Sequence, residues 1–547
     1  MRARIAETLA VAVAALLLTV VMTWPIAPRM GDAARLDSAD GMQSVWNIAW
    51  VARTIVEDPR GLFDANIYYP HRQTLTYLEP NIFTGLLAVP AYWATRNPLL
   101  AHNVVLLLGF VLAFLGAYAL VRHLTGHRGA ATFSATAFAF CPYMFTHSAH
   151  IQLLMTGGLP FALLAMHRFV ERPRPGRAAV LGVVVAAEAL SCGYYGVFLA
   201  LILVPGMAYY AAVRGLWRQT TYWLWTALAG ALAVGLVLPF LWPVLRHQEA
   251  TGFVRELAES ERWSANWTSY LASAAYLHRW MLPWLGGNWV EALFPGFVSA
   301  VLTLAGLWLG WGRPRAGFRR EHVAFYTALG VLACWASFGP DAGLYTVLYR
   351  AVPVFSLLHA PARLGLLVVL ACAVMGGFAV AQAAGSGRRG VLIAGGILAA
   401  TLAELAVMPL RVEARPLPAA YEALAKLPRG PVAEFPFFYR RIDFPRHALY
   451  MYYSTYHWQP LINGYTDYIP QDFRDMVVPI SSFPNPESFA ILKRLRAQYV
   501  VFHLDLYDHR AVVDLKARIE QYREYLRPIR LEDPVWLFQI AAWPPER

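Results

Sequence analysis

Residues 2–24 read RARIAETLAVAVAALLLTVVMTW, two arginines followed by a largely apolar run over 5–24. A bilayer core about 30 Å thick requires roughly 20 apolar residues in a helix, so this run is long enough to span. No clear small-residue cleavage site precedes Trp24 and Pro25, and the run is expected to stay as an anchor rather than be removed as a signal. Arg2 and Arg4 then hold the N-terminus in the cytoplasm. The same length test finds ten further runs, at 99–121, 130–145, 151–170, 178–192, 194–213, 222–245, 289–311, 322–338, 364–384 and 391–410.

Alternation from a cytoplasmic N-terminus assigns five turns to the inner face. They carry Arg122 and Arg128; Arg172, Arg174 and Arg177; Arg214 and Arg218; Arg313, Arg315, Arg319 and Arg320; and Arg388 and Arg389. Every inner turn is basic, as the positive-inside rule demands. The outer face receives a long loop over 25–98, a second over 246–288, short turns at His150 and Gly193, a turn near 341–358, and everything after Leu410. An apolar stretch at 82–93 is interrupted by Pro90 and is too short to span, so it is expected to lie in the interface. Were it to span, the arginine pattern would invert for every later turn.

Composition agrees. Of 547 residues, 58% are hydrophobic and 15% charged, against about 25% charged in a soluble domain. This excludes an ordinary cytosolic enzyme. The net charge of +12 rests on arginines clustered between apolar runs, with Lys426, Lys493 and Lys516 the only lysines. It reports topology, and no nucleic-acid partner is expected. Cys141, Cys192, Cys334 and Cys372 all lie in apolar stretches, without metal spacing or a disulfide-bearing loop, and are expected to pack as small apolar residues. The domains expected are a membrane part over 1–410 and a soluble α/β part over 411–547, with helices at 419–427, 487–497 and 511–525 and strands at 432–435, 499–502 and 535–540.

Ionisable residues near the outer face are the site candidates. Asp37-Ser38-Ala39-Asp40 follows the first span, where a carboxylate near a membrane costs desolvation unless it is paired or used. The alternative is that Asp37 or Asp40 caps a helix running to Val56. The same loop holds Tyr68, Tyr69, His71, Tyr77 and Glu79, which suit either a sugar-binding pocket or an interfacial aromatic belt; Glu79 suits equally the N-terminal dipole of the following helix. His147, His150 and Gln152 stand at the outer mouth, where hydrogen bonding to substrate or helix ends is preferred to metal ligation. Glu188 and Glu404 lie within spans and need a partner or a wet cavity. Arg363, behind His359, must face an anion: a lipid phosphate, a substrate phosphate or a carboxylate. In the soluble part, Trp458 to Tyr465 reads as a structural turn or an acceptor contact.

Taken together, Asp37-Ser38-Ala39-Asp40, His150-Ile151-Gln152 and His359-Ala360-Pro361-Ala362-Arg363, followed by a soluble outer domain, resemble the GT-C superfamily of polytopic membrane glycosyltransferases, and more closely its bacterial YfhO-like and related groups. The fold implied is an α-helical membrane protein of about eleven spans with an extracytoplasmic C-terminal α/β domain. The activity implied is inverting transfer of a sugar, hexosyl or pentosyl, from a polyprenyl-phosphate donor to a glycan, lipid or protein acceptor at the outer face of the bacterial cytoplasmic membrane. The resemblance implies a general base at Asp37, with Asp40 as its partner; Arg363 with His359 is the candidate for the donor phosphate, and His71, Glu79, His150, Gln152 and Glu188 are the candidates for substrate contacts. No cofactor is required, a divalent metal (Mg or Mn) being the open alternative, because two residues separate the acids where family diacids are often adjacent. The competing classes are a lipid or glycan flippase or transporter, expected to show inverted repeats that this chain lacks, and a non-catalytic envelope assembly protein.

Overall fold

The computed structural model describes residues 2–312, 319–385 and 387–545. Arg313 and Arg315 of the fourth inner turn lie outside them. The chain forms two compact units. One comprises Met1–Pro28, Val105–Trp242 and Thr251–Leu410; the other comprises Arg29–Val104, Pro243–Ala250 and Arg411–Arg547.

In the first unit, all eleven apolar runs are helical over most of their length. Among the described residues, six helical segments are long and apolar enough to cross a membrane: Ile5–Met22, Pro98–Thr125, Ile151–Glu171, Gly193–Val213, Thr220–Thr251 and Pro361–Ala384. Exposed Leu9, Val13 and Leu17 on the first, and Val234 and Leu238 on the fifth, form apolar surface that only a lipid solvent accommodates. Three runs depart from simple spans. The third ends as the helix Arg128–Ala139 and resumes as the short Pro142–Thr146, because Pro142 lacks the N–H needed to continue. The fourth is divided into Ile151–Leu154 and Gly158–Glu171. The eighth begins only at Phe297, leaving 289–296 as non-helical chain.

The basic turns share one face. Glu7 pairs with both Arg122 and Arg128, His123 with Glu171, and Arg214 with Glu321. The His127 Nε2 lies 2.9 Å from the Gly385 carbonyl. Helices in lipid gain little from burying apolar surface against each other, so close backbone approach matters: a Cβ on Gly306 would stand 2.1 Å from the Met375 carbonyl of the neighbouring helix.

Glu404 is accounted for by structure. It accepts the Val298 N–H at 3.0 Å and the Phe297 N–H, so it caps the helix Phe297–Gly312 from another span, and His278 Nε2 reaches it at 3.0 Å. Replacing it by alanine removes the partner of His278 Nε2, whose Nδ1 keeps Ser273, and of two helix-end N–H groups. Glu404→Ala should destabilise the fold by about 3 kcal/mol, read as a lowered unfolding midpoint of the purified protein.

In the second unit, Ser38 rather than an aspartate caps the helix Ala39–Glu57, its hydroxyl accepting the Gly41 N–H at 3.1 Å. The helix Ile82–Thr95 is 14 residues long, about 21 Å and short of a span. It packs on Ala39–Glu57 so tightly that a Cβ on Gly85 would meet Val51 at 2.4 Å. The C-terminal sheet has the order β1-β2-β4-β3, with β1 (Val432–Phe435) parallel to β2 (Tyr499–His503), and β4 (Val535–Ile540) antiparallel to both β2 and β3 (Leu526–Glu532). β3 and the helices Ala448–Ser454 and Gln471–Ser481 were not expected from the sequence. β3 escapes pattern reading because it is an exposed edge strand bearing Pro528 and alternate charges, features that protect an open edge.

Candidate functional site

The interruptions in the helices of the first unit gather polar side chains at one end of the bundle. Tyr143 and His147 come from Pro142–Thr146 and its end, Tyr194 and Tyr195 from the start of Gly193–Val213, Glu291 from the chain before Phe297, and His359 and Arg363 from the approach to Gly365–Ala384. Non-helical backbone at such depth is tolerated where it is buried in protein or lines a polar cavity.

His147 is fixed at both nitrogens. Its Nδ1 lies 2.9 Å from the Tyr143 carbonyl and its Nε2 lies 3.0 Å from Glu291 Oε2. Tyr143 and Tyr195 share a hydrogen bond of 3.1 Å, and the Tyr195 hydroxyl donates to the Leu153 carbonyl at 2.7 Å. His150 stands 5.8 Å from His147, ring to ring, and Gln152 is partly exposed one turn on. Glu291 is the residue that sequence reasoning missed: it falls inside a run read as a span, and only the late helix start at Phe297 frees it.

Tyr194 organises the other half. Its hydroxyl accepts the His359 backbone N–H at 3.1 Å and lies 3.0 Å from His359 Nδ1. Burial, then the charges of Arg255 and Arg363, push His359 down to about 3. His359 is therefore neutral at physiological pH and offers a hydrogen bond, not a cation. Arg363 supplies the charge. Its guanidinium carbon lies 4.3 Å from the Tyr194 ring centroid, and its Nε, shut off from solvent, has no hydrogen-bond partner among the described residues. A cation over an aromatic face is stabilised from one side and remains open to an anion on another. Leu364, its neighbour, lines an apolar cleft of about 300 Å³ together with Pro205, Phe325, Leu329, Leu348 and Leu367.

Glu188 has a partner for one carboxylate oxygen, while its Oε1, shut off from solvent, has none among the described residues. Its Oε2 accepts the Gly158 N–H at 3.1 Å, capping the helix Gly158–Glu171 from an adjacent span. A Cβ on Gly158 would stand 2.1 Å from that oxygen. Gly158→Ala should therefore displace the carboxylate and lower the unfolding midpoint, by about 1–3 kcal/mol of stability, measured by thermal unfolding beside wild type.

The remaining candidates belong to the second unit. With Ser38 as the cap, neither Asp37 nor Asp40 is spent on that task. Arg35 grips Asp37 with two bonds, 2.9 and 3.2 Å, and Arg411 approaches to 3.8 Å. Burial raises the Asp37 carboxyl, but these guanidiniums outweigh it and leave the group below its usual range. Asp40 lies in the first turn of Ala39–Glu57; burial, then Asp40 and Asp467, push the Tyr465 hydroxyl up to about 12. His71 Nε2 sits 3.0 and 2.9 Å from the two oxygens of Asp472. The Glu79 carbonyl accepts from Asn47 at 2.9 Å. The stretch Trp458 to Tyr465 is mostly structural: Trp458 packs on Trp50, and the Asn463 amide brackets the Glu434 backbone.

Among solved structures, the chain is similar to the oligosaccharyltransferase of Archaeoglobus fulgidus, over 94% of its own length and 71% of that chain, at a TM-score of 0.51 and 15% identity. It is similar also to the arabinofuranosyltransferase AftD from mycobacteria, over 98% of its own length and 41% of that chain, at a TM-score of 0.57 and 16% identity. No protein-family model matches the sequence, and no curated protein does. The chain has the GT-C fold.

Proposed function

We propose that the chain is a membrane glycosyltransferase that moves a sugar from a polyprenyl-phosphate donor to an acceptor hydroxyl, with inversion, at the outer face of the bacterial cytoplasmic membrane. One observation carries the reading: the buried Nε of Arg363 lacks a partner among the described residues, and its neighbour Leu364 lines an apolar cleft. A guanidinium recognises phosphate by paired N–H donors, and an apolar cleft accommodates an isoprenoid chain. A polyprenyl phosphate is the ligand that needs both.

In the step proposed, the acceptor O–H gives its proton to a carboxylate as its oxygen attacks the anomeric carbon. The bond from that carbon to the phosphate oxygen breaks, the electron pair leaves with the phosphate, and Arg363 stabilises the developing charge. The acids after the first span are our candidates for the base. Ion pairs with Arg35 and Arg411 outweigh burial and lower the proton affinity of Asp37, so we assign orientation of the loop to Asp37 and proton acceptance to Asp40, the reverse of the order that the resemblance implies. His359, neutral, donates or accepts one hydrogen bond beside Arg363. The archaeal relative was solved with zinc and sulfate. Here, among the described residues, no three His, Cys, Asp or Glu side chains come together, and we assign the step above to side chains.

The test is transfer by the purified chain in proteoliposomes containing polyprenyl-phosphate-linked sugars, read as a new glycosidic bond and released polyprenyl phosphate. Lipid crossing the bilayer without any such bond would overturn the reading in favour of a flippase.

A further inference from the structure

A second group of aromatic and polar side chains lies in the second unit, built from segments far apart in sequence. Tyr77, buried, packs against the His247 ring at 4.6 Å with 32° between planes. Tyr468 meets both edge-on, at 5.1 Å from Tyr77 and 4.8 Å from His247. His247 and Tyr468 are only partly buried, so the cluster presents ring surface outward. Beside it opens a cleft of about 430 Å³ lined by Gln73, Arg246, His247 and Glu249. The helix that carries His247 is 32 residues long, about 48 Å, which exceeds the roughly 30 Å of a bilayer core; its last turns, bearing Arg246, His247 and Glu249, are the part whose charge disfavours the apolar core. Gln73 holds a left-handed backbone, φ 54° and ψ 28°, braced by Asp64 Oδ1 accepting its N–H at 2.8 Å. A non-glycine residue in that region is strained, and the strain persists where surroundings impose a particular display.

The chemistry of the lining selects the ligand. An amide, a guanidinium and a carboxylate around one opening give donors and acceptors in planar forks, which match vicinal hydroxyls. Aromatic surface beside them suits the C–H face of a sugar ring. Glu249, and Asp472 opposite His71, disfavour a phosphate or other anion, and the polar rim disfavours a lipid tail. We propose that this cleft is a carbohydrate subsite that holds a neutral oligosaccharide, the acceptor of the transfer. The proposal rests on the glycosyltransferase reading for its purpose, but not for its binding chemistry.

The test uses the full chain in nanodiscs with no donor present, and saturation-transfer NMR with mannohexaose, cellohexaose and α-1,5-arabinohexaose as probes. At least one should bind, with a Kd of about 1 mM or tighter. Tyr468→Ala and His247→Ala should each weaken it about tenfold or more, a loss of roughly 1.4 kcal/mol. Arg246→Ala and Glu249→Ala, both at exposed positions, should weaken it as well, while Tyr439→Ala, exposed and outside the cleft, should not. Absence of binding by all three probes, or binding that every cleft variant leaves unchanged, overturns the subsite. Loss of the subsite with polyprenyl phosphate still released leaves the glycosyltransferase reading standing. Oligosaccharide binding without any transfer supports the subsite and removes that reading instead.

Discussion

Arg363→Gln should lower the rate of polyprenyl phosphate release by about 10²–10³-fold, the loss expected when one donor to a developing oxyanion is removed. Arg363→Lys should recover only part of the rate, because an ammonium keeps the charge without the planar fork that pairs with phosphate oxygens. The fold should survive both changes. Deleting one half of a buried ion pair strands the other half and destabilises, but the Arg363 Nε has no partner to strand among the described residues. Initial rates with saturating donor, set beside thermal unfolding midpoints, separate the two effects. An Arg363→Gln protein that transfers sugar at the wild-type rate would end the assignment. So would one whose rate falls only because it unfolds.

The second large effect concerns the paired acids. Asp40→Asn should reduce turnover by about 10²–10⁴-fold, the usual contribution of a general base, with donor binding unchanged. Asp37→Asn should cost under about tenfold in turnover and act mainly on stability. The sign follows from its environment. Against the upward push of burial, Arg35 and Arg411 hold Asp37 below its ordinary value, so the unfolded chain binds its proton first as pH falls. Its contribution to stability is therefore complete above that value and lost as pH drops through the lower, folded one. Asp37→Asn should flatten this acid limb in a series of unfolding midpoints from pH 7 to pH 3. If Asp37→Asn abolishes turnover while Asp40→Asn spares it, the roles are the other way round.

The helical runs were legible because spanning a bilayer is a requirement on length and apolarity, both of which are written locally. The clustering of the basic turns was legible for a related reason: Arg122, Arg128 and Arg214 are cations that no apolar solvent accepts, so they collect at helix ends, where Glu7 and Glu321 meet them. Glu188 and Glu404 were readable only as charges in need of partners. Their partners are backbone N–H groups at the starts of other helices, and no pattern within one segment announces a cap supplied by another. Asp37 was ambiguous between cap and site until Ser38 took the cap.

Apolar run length and arginine placement alone determined that this chain is a membrane protein with basic turns gathered on one face, because hydration free energies act residue by residue and add along the chain. Only the tertiary structure decided which polar groups meet. Glu291 with His147, the Arg363 guanidinium over Tyr194, and His247 against Tyr77 and Tyr468 all join residues from elements far apart in the chain. Hydrogen bonds and ion pairs act over about 3 Å, so their partners are set by helix breaks and packing, which the spacing of residue types along the chain does not encode.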